Sequence, residues 1–96
     1  MSHPLGSLAD NLTAYAIYAT AQAEMRHAYS LLDSDDFTAA AAEIDSAARA
    51  AGVLANVSAS AAAERTAHWR RVAAARQQFA ERVRAHAAAQ PVLVAA

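Results

Sequence analysis

Residues 8–32 read LADNLTAYAIYATAQAEMRHAYSLL, an unbroken stretch without glycine or proline. Leu8, Leu12, Tyr15, Tyr18, Met25, Tyr29 and Leu32 recur in three-, four- and seven-residue steps, which line one face of an α-helix and leave no two-residue alternation for a strand. The spacing predicts a helix over 8–32. Ser7 is its expected N-cap, with Asp10 three residues on as a short version of the capping box. A second stripe on the same helix, Ile17, Ala21, Ala28 and Leu31, carries Glu24.

Outward from this stretch the chain punctuates itself. Asp33-Ser34-Asp35-Asp36 stops the first helix and caps the next, because acidic residues favour a helix N-terminus. A second helix is expected over 36–51, with Ala40 or Ala41, Ile44, Ala48 and Ala51 inward and Gly52 as the C′ residue. Leu54 continues that stripe and leaves a kinked continuation open. A third helix is expected over 59–90, ended by Pro91, with Ala62, Trp69, Val72, Phe79, Val83 and Ala87 as its apolar line. Met1 to Gly6 reads as a flexible lead and 91–96 as a flexible tail. The expectation is one all-α domain over 1–96, a three-helix bundle. Its rival is a long helical hairpin in which the second and third helices merge.

Composition narrows the possibilities. Alanine fills 31 of the 96 positions, while Leu, Ile, Val and Phe together number 17. Alanine favours helix but contributes little apolar area on burial, so a thin core is expected, one that oligomerisation would complete. The net charge of −1 argues against disorder, which requires few large apolar residues together with high charge. There is no cysteine, which rules out disulfides, zinc fingers and thiol catalysis and fits a reducing cytoplasm. No signal-peptide pattern opens the chain, and the uncharged segment 53–63 is too short and too polar to span a bilayer. All eight basic residues are arginine. With the alanine excess, this points to a GC-rich, bacterial source.

Charge is divided along the chain. Residues 1–57 carry seven acids and two arginines; residues 58–96 carry six arginines and two acids. The division suits an acidic front half packing on a basic last helix better than a nucleic-acid surface, because such binders usually have a pI above about 9 and this chain has a pI of about 6.4. Arg65 and Arg76 fall within the apolar stripe of the third helix, where they either snorkel or meet a carboxylate such as Glu24.

Glu24-x-x-His27 resembles the Glu-x-x-His motif of ferritin-like di-iron bundles, and Glu64 and His68 stand one turn apart on another segment. The resemblance implies iron held by Glu24, His27, Glu64 and His68, with Glu43 as a further carboxylate. Length and helical content resemble the helical-hairpin secreted partners of type VII systems, but their Trp-x-Gly turn is missing, since Arg70 and Arg71 follow Trp69. The apolar tail ending in Ala95-Ala96 resembles bacterial degradation tags. No serine lies in a nucleophile motif, and no glycine-rich loop could cradle phosphate. The reading is therefore a non-catalytic, cofactor-free helical module that binds itself or another helical protein through Trp69, Val72, Arg76, Phe79 and Val83. Its alternatives are the iron-binding bundle and a nucleic-acid-binding basic helix.

Overall fold

The computed structural model describes residues 3–89; the C-terminal tail and its degradation-tag resemblance lie outside the described residues. Three helices form an all-α bundle: α1 (Leu12–Asp33), α2 (Phe37–Ala61) and α3 (Thr66–Ala89). Tyr18 packs edge-on against Trp69 and Tyr29 lies beside Phe79, so α1 and α3 run in the same direction. The pairs His27–Glu43 and Phe37–His86 show α2 running opposite to both. No helix among the described residues is long and apolar enough to cross a membrane.

The α1–α2 corner forms as its acidic run predicts. Asp35 N–H donates to Leu32 O at 3.0 Å and Asp36 N–H to Leu31 O at 2.9 Å, the paired bonds of a Schellman closure, with Asp35 left-handed at φ 59°. Asp36 then caps α2, its Oδ1 accepting from Ala39 N–H at 3.3 Å.

Three boundaries differ from the expectation. The lead is built into the fold: Gly6–Asp10 is a 3₁₀ turn whose Leu5 and Leu8 are buried. The cap of α1 is Asn11, whose Oδ1 accepts from Ala14 N–H at 3.0 Å. A helix begun at Leu8 would present Leu8 and Leu12 on one face, whereas the turn buries Leu8 and leaves Leu12 85% exposed. The second difference is at Gly52, which lies inside α2. Leu54, Ala55 and Ser58 are buried beyond it, and that packing outweighs the roughly 1 kcal/mol a helical glycine costs. The chain instead turns at Ala62 (φ −150°, ψ 61°), passes through a 3₁₀ turn at Ala63–Arg65 and enters α3 at Thr66. That corner replaces both the merged hairpin and the early start of the third helix.

The buried line of α1 is also the quieter of its two stripes. Ala14, Ala21 and Ala28, each seven residues apart, are buried, while Tyr15 and Tyr29 are 46% and 54% exposed. On α2 the line Ala40, Ile44, Ala47, Ala51, Leu54 and Ser58 runs beside Ala41, Ala48 and Ala55. Small side chains at three-, four- and seven-residue spacing let helix axes approach closely. The larger apolar residues gather at the two ends of the bundle. Leu5, Leu8, Leu54 and Trp69 fill one end; Ile44 and Val83, with Phe37 and Phe79 packed against them, fill the other.

Candidate functional site

The expected interface residues of α3 lie mainly inside the chain. Trp69 is 2% exposed and Val83 5%; Val72 and Phe79 are half-buried against the same two clusters. This seam is covered by the N-terminal turn, α1 and α2, so a partner reaching Trp69 would have to open the core.

Arg76 sits between the two clusters. Its Nη1 donates to Ala47 O at 3.0 Å and its Nη2 to Gln22 Oε1 at 3.2 Å. Glu24 is not its hydrogen-bond partner. Burial pulls the guanidinium pKa down, and the nearby Tyr29, Glu24 and Tyr18 act against that fall. Arg65 packs on the first 3₁₀ turn: a Cβ at Gly6 would stand 3.1 Å from Arg65 Cγ and Nε and from Glu64 Oε1. With φ at +57° as well, that position requires glycine.

The four residues suggested for iron are not brought together. His27 Nδ1 meets Glu43 Oε2 at 3.2 Å on the surface, and Glu24 lines a groove between α1 and α2. Glu64 lies in the α2–α3 corner. His68 stacks edge-on with Trp69 at 4.9 Å, and Trp69 packs against Tyr18, which sets His68 level with about Ile17 on α1. His27 is therefore roughly ten residues further along α1, about 15 Å at 1.5 Å per residue. Burial, then Arg71, Arg65 and Arg76, lower the His68 pKa, an environment that also opposes a metal cation. Among the described residues no three His, Asp or Glu side chains converge as a metal site would require.

The arginines of the basic half point several ways. Arg84 pairs with Asp45, as an acidic front half packing on a basic helix would have it, and the hydrogen bond it donates to Asp45 raises the Arg84 pKa. Arg76 turns inward, while Arg70, Arg71 and Arg82 face solvent.

Among the grooves on the surface of the described residues, three lie between or beside the helices. One, of about 330 Å³, lies between α1 and α2 and is lined by Ala16, Ile17, Thr20, Glu24, Ser46 and Ala50. A second, of about 440 Å³, lies between α2 and α3 with Arg49 and Arg70 among its lining residues. The third, of about 360 Å³, lies among Leu32, Phe37, Phe79, Arg82, Val83 and His86 at the bundle end. Leu12 is exposed one turn before Ala16 and Val57 two turns beyond Ala50, so exposed apolar side chains flank the first groove at one end; Val53, exposed as well, lines the second groove. Sequence reasoning missed this apolar edge because it assigned Leu12 to the core and ended α2 before Val57.

These features define a small three-helix bundle with an alanine-rich interior and open interhelical grooves. Comparison with protein-family models, with curated proteins and with solved structures finds no match for the chain.

Proposed function

We propose that the chain is a non-catalytic helical module that self-associates across the outer edge of the α1–α2 groove. The observation that carries this reading is the exposure of Leu12 at 85%, with Val57 at 37%. The antiparallel register set by His27–Glu43 brings Leu12 and Val57 to the same level of the bundle. Large apolar side chains grouped at one edge favour association, because each contributes about 25 cal/mol per Å² of apolar area removed from water. Their helical setting suits a second helix laid alongside, and the alanines between them permit close approach. The partner face is thus the outside of the α1–α2 hairpin, whereas the Trp69 seam serves as core.

Sedimentation over a range of concentrations tests this. The mass should rise above the 10.0 kDa of one chain as concentration increases. Changing Leu12 and Val57 together to aspartate should return it to one chain with helicity intact. A mass of one chain at every concentration overturns the proposal, and so does an assembly that survives both substitutions.

A further inference from the structure

The α2–α3 groove has a different character from the apolar edge. Arg49 on α2 and Arg70 on α3 line it from opposite walls, both exposed, and neither has a carboxylate partner among the described residues. The antiparallel register sets Arg49 near Gln77 at one end and Arg70 near Asn56 at the other. Each end therefore offers a guanidinium and an amide. The ends are about seven residues apart along the helices, roughly 10 Å at 1.5 Å per residue.

Gly52 lies on the floor between them, and a Cβ there would meet nothing within 4 Å. Its backbone is helical, so no turn requires glycine, and a glycine inside a helix costs about 0.5–1 kcal/mol against alanine. What it provides is room for another backbone to come close. We infer that this groove binds an acidic helical segment of another protein, with carboxylates seven residues apart and small side chains between them. Two turns of such a helix span the distance between the arginines, and each carboxylate meets an arginine able to bind it bidentately.

A second copy does not supply this segment. Asp36 and Glu43 have the right spacing, but Ala40 and Ala41 between them are buried and Glu43 holds His27. A polyanion fits less well, because the chain carries a net charge of −1 and its α1–α2 corner presents Asp33, Asp35 and Asp36 to solvent.

The test is fluorescence anisotropy at low ionic strength with an alanine-based helical peptide carrying two glutamates seven residues apart, and with its glutamine counterpart. The glutamate peptide should bind and the glutamine peptide should not. Arg49→Gln or Arg70→Gln should each weaken binding roughly two- to fivefold, and together about tenfold or more, as expected for rim ion pairs. Gly52→Leu should block binding while leaving the circular dichroism unchanged. Val57→Asp, which strikes the self-association edge, should leave peptide binding intact, so the two proposals fail separately. Equal binding of both peptides, or indifference to the arginine substitutions, overturns the inference. It also falls if duplex DNA displaces the peptide at equal charge, or if Arg49→Gln lowers the mass of a self-assembly.

Discussion

Asp35 holds the left-handed position that closes α1, with φ 59°, between two other exposed carboxylates, Asp33 and Asp36. Aspartate tolerates this conformation better than most residues, but glycine adopts it without steric cost. Asp35→Gly should therefore stabilise the protein by roughly 0.5 kcal/mol, since it relieves both the backbone and the carboxylate crowding. A lower urea midpoint in the variant would show that the Asp35 carboxylate contributes more than its conformation costs. His68 bears on pH at the same scale. Its folded pKa lies below 6.5, first through burial and then through Arg71, Arg65 and Arg76. The unfolded chain thus takes up this proton before the folded one does. The stability linked to His68 is complete above about pH 6.5 and is lost as pH falls through the folded pKa. His68→Gln should flatten the decline in Tm between pH 7 and pH 5; parallel profiles for the two proteins would reject the role.

Among the helices, legibility followed chemical signal. The α1–α2 corner was readable because Asp33-Ser34-Asp35-Asp36 both breaks one helix and caps the next. The α2–α3 corner was not, because Ala62 is neither a breaker nor a cap, and burial beside Leu54 and Trp69 fixes the turn there. Gly52 misled for the opposite reason: it carries a stop signal that the packing of α2 overrides. On α1 the tyrosines drew the apolar stripe toward a half-exposed face, while Ala14, Ala21 and Ala28 gave a fainter pattern that the fold uses. Of the candidate site, the apolar line of α3 was legible as a seam, but what covers it was not. The grooves depend on the register between helices, which sequence does not state. These burials separate two residues that share the apolar spacing of their helices, Trp69 and Leu12. Trp69→Ala should cost about 3–5 kcal/mol, as loss of a buried tryptophan does, whereas Leu12→Asp should stay within about 0.5 kcal/mol in the single chain. Urea denaturation at low protein concentration checks both, and similar losses from the two changes would contradict the assignment of core and surface.

Across the bundle, eleven of the seventeen buried apolar residues among the described ones are alanine, so the interior holds little area per residue and its distribution matters. The two apolar clusters share α2 but are divided at Arg76, whose guanidinium ties α3 to the Ala47 carbonyl of α2 and the Gln22 amide of α1. This single side chain reaches both other helices at mid-height. It fixes their register, which the alanine seams, all of similar size and shape, specify weakly. A hydrogen bond of this kind contributes about 0.5–1.5 kcal/mol, more when one partner is charged, while the desolvation seen in the lowered Arg76 pKa offsets part of it. The net contribution to stability is therefore small and the contribution to specificity larger. Arg76→Met keeps the packing of the stem and removes the charge. It should change the unfolding free energy by less than about 1.5 kcal/mol, because apolar replacement of a buried polar group is often close to neutral. Arg76→Ala removes the stem as well and should cost about 2–3 kcal/mol, through lost packing and lost hydrogen bonds. The sharper sign of a register role is in side-chain order. Arg76→Met should broaden the near-ultraviolet circular dichroism of Trp69 and the tyrosines while the helical signal persists. A methionine variant with native near-ultraviolet spectrum and unchanged amide-exchange protection on all three helices would show that the alanine seams set the register without Arg76.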